Sequence, residues 1–370
     1  MKPEQLPRKA KSARRHPPRP PSNLTTPFRL AINGYGRIGR CFLRALRESP
    51  AAPALQVVAI NEPANLESMA YLTRYDSTHG RFPAEVSLGS GRLFVDGQPI
   101  IVSHARKPGG VDWANLGIDL LIEASGCYGR REELTEFLNA GCPRLLLSHP
   151  AHSSTDVDAT IIAGINQQTL TGSERLVSAA SCTTNAIVPV LDLLDREIGI
   201  EQVMLTTLHS VMNDQPLIDG YHHDDLRRTR SAMQSIIPVS TGLARGVERL
   251  LPQLAGKVQA KAIRVPTTNV SAIDLTIATQ RPVSARSINA LLAEAAGGPL
   301  KHLIAYSEAA HASIDFNHDP HSAIVDGSQT HTAGTHLVNL FVWFDNEWGF
   351  ANRMLEVADH WSRLWSGQNN

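Results

Sequence analysis

The 370-residue chain is long enough for two packed domains, and its 42% hydrophobic and 19% charged content excludes a chain dominated by disorder. Lys plus Arg balances Asp plus Glu at 35 each, so the chain as a whole lacks the charge bias that points to nucleic acid or an acidic partner. No apolar run approaches the roughly 18 residues of a membrane span.

The charge is uneven only at the start. Residues 1–27, MKPEQLPRKAKSARRHPPRPPSNLTTP, carry seven Lys or Arg against Glu4, seven prolines and almost no large apolar residue, the composition of a disordered arm. The arm lacks the apolar centre of a secretory signal, and its prolines oppose the amphipathic helix of a transit peptide. Weak contact with a phosphate polymer such as RNA is the one interaction it suggests.

Beyond the arm, FRLAINGYGRIGRCFLRALRES reads as a strand over Phe28 to Asn33, a glycine turn, and a helix from about Arg37 to Glu48 with Ile38, Phe42, Leu43 and Leu46 on one face. Gly34, Gly36 and Gly39 form GxGxxG in the setting it requires: the first permits a tight turn, the second lets a pyrophosphate approach, and the third lets helix and strand pack closely. Backbone amides near Arg37 and Ile38 then face the phosphates. A second strand, LQVVAINE, ends in Glu62, 23 residues after Gly39, where a carboxylate accepts from ribose hydroxyls and repels a 2′-phosphate. The pattern predicts NAD rather than NADP.

The alternation continues through GIDLLIEASG, the helix RREELTEFLNAG stopped at Gly141, and RLLLSHP, which outlines a doubly wound parallel sheet. Ser125 stands at the carboxyl end of its strand, where such sheets bind ligands. RLVSAAS then delivers Cys182 to the start of the helix TTNAIVPVLDLLDREIG, which Pro189 should kink. A thiol at a helix N-terminus is expected to ionise more readily, and its small polar neighbours favour a nucleophile over a packed hydrophobe. In EQVMLTTLHSVM, His209 is in phase with Val203, Leu205 and Thr207, so it projects from one face at the end of a strand and is the candidate base.

Cys41, Cys127, Cys142 and Cys182 form no CxxC pair and have no metal-ligand spacing with histidine, which points to a reducing cytoplasm and no metal. The pairs His222, His223 and His318, His321 lack the helical i, i+4 placement of a metal site and read as polar loop residues.

INGYGRIGR, SCTTN, RRTRSAMQSIIPVSTG, IRVPT and WFDNEWGFANRM follow one another, over about residues 28–362, in an order and spacing that resemble the glyceraldehyde-3-phosphate dehydrogenase family. Within it, RYDSTHGRF with LLLSHP, HSVMNDQ and DFNHDPHSAIVDGSQT are most similar to the branch acting on erythrose 4-phosphate.

The resemblance implies Cys182 as nucleophile and His209 as thiol activator. It implies Arg37, Ile38, Arg106 and Asn346 at NAD, and Ser181, Thr183, Arg228, Thr241, Gly242 and Arg264 around the substrate and its phosphate. Arg228 and Arg264 suit that role physically, because a guanidinium forks onto phosphate oxygens. The implied fold is α/β: a doubly wound (Rossmann) NAD-binding domain over 28–181, an α+β catalytic domain with a mainly antiparallel sheet over 182–345, and a helix over 346–365 that returns to the NAD domain. A homotetramer is usual in the family.

The implied chemistry passes through a thiohemiacetal and a thioester on Cys182, which water releases in the erythrose-phosphate branch and phosphate in the glycolytic one. Met212 stands where glycolytic relatives commonly have a threonine, and an unmatched phosphate oxygen there costs about 1–3 kcal/mol of binding. Thr241 and Gly242, in VSTGLA, keep the glycolytic form, where erythrose-phosphate relatives often carry lysine after the threonine. Glu62 and Ala186 also depart, from an aspartate common in glycolytic members and a second cysteine common in the family.

Overall fold

The computed structural model describes residues 27–50 and 54–365, so the basic arm, apart from Pro27, lies outside the described residues. The strand Phe28–Asn33 is buried almost without break, as expected of a strand covered on both faces. It sits inside a nine-stranded sheet whose first seven strands are parallel: Ala159–Thr160, Leu176–Ser178, Leu145–Leu147, Leu120–Glu123, Phe28–Asn33, Leu55–Asn61 and Gln98–Ser103. Two further strands, Arg92–Val95 and Val86–Gly89, extend the edge as antiparallel ribbons, an addition that the strand and helix alternation did not foretell.

Phe28–Asn33 lies between Leu55–Asn61 and Leu120–Glu123, so the chain leaves it to one side and later returns on the other. That reversal opens a crevice at the carboxyl ends of the strands. The helix Arg37–Glu48 buries Phe42, Leu43 and Leu46. The last helix, Trp348–Trp365, packs against it, and Trp348, Phe350, Met354 and Trp361 share one apolar core with Leu30, Ile32 and Phe42.

A second sheet runs Ile237–Val239, Val258–Arg264, Ile200–His209, Ser271–Thr279, Leu337–Phe344, Ala323–Asp326 and Ile304–Ser307, mostly antiparallel. Its strands alternate buried and more open residues, and the helix Cys182–Ile198 covers the apolar face with Ile187, Val190, Leu191 and Leu194. The α/β class, with one Rossmann-type sheet and one mainly antiparallel sheet, is borne out. Ile200–His209 and Val258–Arg264 are parallel neighbours, and their register sets His209 opposite Arg264.

Polar contacts tie the two sheets together beside the glycine loop. Arg37 forks onto Asp76 and Glu347, and His79 Nε2 meets the same Glu347 carboxylate at 3.0 Å. His79 and His318 approach through their Nδ1 atoms at 3.1 Å, while the His318 ring stacks on Trp348 with centroids 3.7 Å apart. His318 is thus a polar loop residue, as expected, whose ring also packs on Trp348 and meets His79 and Glu48.

Candidate active site

The nucleotide crevice is built by close approach. Gly34 has φ +86°, and a Cβ there would lie 2.4 Å from the Ser125 amide, so the turn admits only glycine. A Cβ on Gly39 would lie 2.3 Å from the Gly34 carbonyl oxygen, which fixes how tightly helix and strand approach. Gly36 faces open space, leaving the first turn of the Arg37–Glu48 helix accessible to a phosphate.

Glu62 follows the second strand directly, and its carboxylate accepts the Tyr35 amide at 2.8 Å, at the edge of the glycine turn. These residues fit a dinucleotide: an open backbone at the pyrophosphate and a carboxylate at the ribose end.

Other expected cofactor residues behave differently. The Arg37 guanidinium is taken by Asp76 and Glu347, so only its backbone is offered at the helix start. Ile38 is half-buried against the core, and Arg106 is exposed on the loop after Gln98–Ser103. Ser125 is turned inward, donating from backbone and hydroxyl to Glu123.

Glu123 itself was missed from sequence. It is fully buried, accepts from Asn33 Nδ2 at 2.5 Å, and has its carboxyl pushed up to about 7, because burial outweighs the donors from Ser125 and Asn33. Only the strand-end position shared by Asn33, Asn61 and Glu123 hinted at this layer.

At the second site the chain leaves Leu176–Ser178, passes Ala180 at φ +59°, and enters the helix at Cys182. Ser181 is the N-cap: its hydroxyl accepts the Thr184 amide at 3.1 Å and meets the Thr184 hydroxyl at 2.7 Å. The Ser181 side chain is thus committed to the helix. Thr183 Oγ1 lies 3.8 Å from the thiol and remains beside it. The helix continues to Ile198 through Pro189, which forgoes one backbone hydrogen bond without ending the helix.

Cys182 Sγ lies 3.6 Å from His209 Nε2. Burial, the largest influence, pushes the Cys182 thiol up, while the hydroxyl and amide of Thr183 and the nearby Arg264 pull it down. The expectation that the helix start alone would make the thiol more acidic is corrected: loss of water outweighs it. His209 is 7% exposed and held down to about 4, first by burial and then by Arg264.

Its Nδ1 lies 2.8 Å from the Ser210 carbonyl oxygen and 2.7 Å from Arg264 Nη1. Arg264 is half-buried, and its Nε is buried without a partner. Arg228 Nη1 pairs with Asp214 at 3.0 Å, and both groups bear electrostatically on Arg264. Thr241 Oγ1 accepts the Leu243 amide at 3.2 Å, and Gly242 is the N-cap of the helix Leu243–Leu250. That helix reaches the site because Gly246 lets it press against Thr184.

Asn346, just before the last helix, accepts the hydroxyls of Ser210 and Ser271 at 2.8 Å each. Its carbonyl oxygen is thereby fixed, and its amide NH2 is the end left for a ligand. Structure thus gathers Cys182, Thr183, His209 and Arg264, with Arg228 linked through Asp214 and Asn346 linked through Ser210.

Cys41, His79 and Glu347 place potential ligand atoms within 4.8 Å of one another. Arg37 already neutralises that carboxylate, and the buried Cys41 thiol is pushed well up, so the trio reads as part of the salt-bridge node. No described helix is long and apolar enough to cross a membrane.

The family model for the glyceraldehyde 3-phosphate dehydrogenase NAD binding domain matches residues 28–131, and that for the C-terminal domain of the same enzymes matches residues 181–346. The first span holds the glycine turn and Glu62, and the second opens one residue before Cys182. A NAD-binding sheet and a catalytic sheet meeting at a thiol and an imidazole are accounted for together: the chain belongs to the glyceraldehyde-3-phosphate dehydrogenase family of NAD-dependent dehydrogenases.

Proposed function

We propose that the protein oxidises D-erythrose 4-phosphate to 4-phospho-D-erythronate, with water releasing the acyl group, in service of pyridoxal 5′-phosphate synthesis. Cys182 attacks the aldehyde carbon, forming the C–S bond of a thiohemiacetal while its oxygen is held by the Cys182 amide and by His209. His209 takes the hydroxyl proton as the C–H bond breaks. NAD, held at the glycine turn and by Glu62, supplies the acceptor for the departing hydride. Water then attacks the thioester and returns the thiol.

Met212 is the observation that carries the choice of substrate. It stands three residues beyond His209, is 45% exposed, and offers a thioether where the glycolytic relatives have a hydroxyl for phosphate. A four-carbon chain places its phosphate farther from the thiol and does not depend on that hydroxyl. Arg228, Arg264 and Thr241 are the groups we assign to this phosphate, with Gly242 and Thr183 completing its surroundings.

Thr241 and Gly242 favour a second reading, phosphorylating oxidation of glyceraldehyde 3-phosphate, because the stretch VSTGLA keeps the form typical of the glycolytic relatives. NADH formation from each aldehyde, with and without inorganic phosphate, separates the two. Turnover of erythrose 4-phosphate without phosphate, and little activity on the triose, is expected. A strict phosphate requirement with the triose preferred would overturn the proposal.

We also assign the protein to the cytoplasm, on its free cysteines, and to a homotetramer. The exposed Leu217, Ile218, Tyr221, Leu226 and Ile236, all within one loop region of the catalytic domain, support self-association.

A further inference from the structure

Away from the catalytic centre, His79 and His318 meet through their Nδ1 atoms at 3.1 Å, although 239 positions separate them in sequence. Each ring is fixed from its other side by a carboxylate: His79 Nε2 lies 3.0 Å from Glu347, and His318 Nε2 lies 3.0 Å from Glu48. A carboxylate only accepts, so each Nε2 carries a hydrogen. Two neutral rings held in this way leave both Nδ1 lone pairs bare and turned towards each other. Such a pair repels unless a positive centre joins it.

The arrangement has the parts of a transition-metal site. An imidazole that binds a metal through one nitrogen is normally held by a carboxylate or carbonyl at the other, which fixes its tautomer and its orientation. Both rings here are held so. Two nitrogens bound at about 2.1 Å to one ion lie about 3.0 Å apart when cis in octahedral or square-planar geometry, and about 3.4 Å apart in tetrahedral geometry. The observed 3.1 Å falls nearer the first.

Charge and access agree with a cation. Glu48, Glu347, Asp76 and Asp345 bond to the two histidines, while Arg37 and Arg44 are the guanidinium groups that touch the same carboxylates, so four negative groups face two positive ones. The His79 side chain is fully buried, whereas that of His318 is 32% exposed. An ion therefore enters from the His318 side and keeps water in the positions that the protein does not fill.

We propose that His79 and His318 form a two-imidazole site for a divalent first-row transition cation of the nickel, copper and zinc group, bound through both Nδ1 atoms and completed by water. Binding exchanges two waters of the ion for two ring nitrogens, and both Nε2 hydrogens stay in place. In sequence His318 pairs with His321, without metal-ligand spacing; in space its partner is His79. His79 lies in the span matched by the NAD binding domain and His318 in that matched by the C-terminal domain. The ion thus fastens one domain to the other beside the glycine loop.

Trp348 reports on the site, because the His318 ring stacks on it with centroids 3.7 Å apart. Ni²⁺ quenches the fluorescence of a neighbouring indole. The full chain, saturated with NAD and carrying C182S to remove the catalytic thiol as a rival ligand, is titrated with NiCl₂ at neutral pH. Quenching should saturate, and EDTA should reverse it. H318N should raise the half-saturating concentration at least roughly tenfold, and E48Q by about tenfold, the loss typical when the carboxylate behind a ligating imidazole is removed. H321N should leave it unchanged.

Asparagine suits the left-handed φ of +68° at position 318, so H318N keeps the backbone. An H318N titration that matches its parent, or an equal loss in H321N, overturns the proposal. Crystals soaked in NiCl₂ give a readout that depends on no variant, and anomalous density is expected between the two Nδ1 atoms. Density at other histidines alone would mean that His79 and His318 share a proton rather than a metal ion, and the site would be withdrawn.

Discussion

His209 and Glu123 are both buried titratable groups, and burial moves them in opposite directions: His209 down to about 4, Glu123 up to about 7. An unfolded chain has ordinary values near 6.5 and 4.5, so each group makes stability depend on pH. For His209 the neutral form is the folded form, and stability is lost as pH falls from about 6.5 towards 4. For Glu123 the folded chain keeps a proton that the unfolded chain has released, and stability falls as pH rises from about 4.5 to 7. The two slopes oppose each other in the wild-type protein, so a difference measurement is needed.

Glu123→Gln removes only the second slope. The thermal midpoint of E123Q relative to wild type should rise between about pH 5 and pH 8, by an amount corresponding to roughly 3 kcal/mol for a shift of this size. Any fixed cost of placing an amide against the donors of Ser125 and Asn33 does not change over that range. Equal slopes for the two proteins would show that Glu123 is ionised in the fold. At the other site, C182S should abolish NADH formation from an aldehyde, and H209N should lower kcat by about 10²- to 10⁴-fold while leaving NAD binding, followed by titration of intrinsic fluorescence, intact.

The residues of these sites were unequally legible. Gly34, Gly36, Gly39 and Glu62 lie within one strand, turn, helix and strand, and their spacing alone places them. Cys182 was legible because a helix start can be read locally. The Arg264 contact with His209 depends on how two strands 55 residues apart in sequence are registered, which no local pattern encodes. Glu123 drew no reading, because its donor Asn33 lies 90 residues away on the neighbouring strand and no local pattern sets the two side by side.

At the level of elements, the turn into the Cys182–Ile198 helix concentrates the cost of presenting the nucleophile. Ala180 sits at φ +59°, a conformation that costs a non-glycine residue roughly 1 kcal/mol or more. Ser181 then caps the helix with a hydroxyl that takes the Thr184 amide. Ser181→Ala should lower stability by about 1 kcal/mol in urea unfolding, since a buried helix amide loses its acceptor. S181T, which keeps the hydroxyl, should recover most of that loss. An S181A variant as stable as wild type would show that the cap is dispensable.

Element type was largely foreseen where periodicity was strong, as in Arg37–Glu48 and Ile200–His209. The ribbons Val86–Gly89 and Arg92–Val95 escaped because four-residue edge strands, half-exposed, carry too little alternation to stand out from loop. His318 lies in a turn, as a histidine near proline suggests, but its stacking on Trp348 and its Nδ1 contact with His79 join residues far apart in sequence and have no local signature.

For the whole molecule, the exposed apolar side chains of the 217–236 region predict assembly. Light scattering should give a mass of about four chains, the number usual in the family. The double substitution L226E/I236E should reduce that mass without unfolding the protein, because both residues are exposed in the single chain. A tetramer unaffected by both charges would place the interface elsewhere. The balance of 35 acidic and 35 basic residues leaves the net charge near zero, so assembly should depend on this apolar surface rather than on salt.

The last helix completes a domain begun more than 300 residues earlier. Trp348, Phe350, Met354 and Trp361 belong to the same core as Leu30, Ile32 and Phe42. A nascent chain therefore cannot finish its cofactor domain when that domain's own sheet has left the ribosome. It must hold an open apolar flank through synthesis of the entire catalytic domain and close it only at the end. Removal of residues 348–370 should leave the catalytic sheet protected from protease and the NAD sheet exposed to it, although every strand and glycine of the cofactor site is still present.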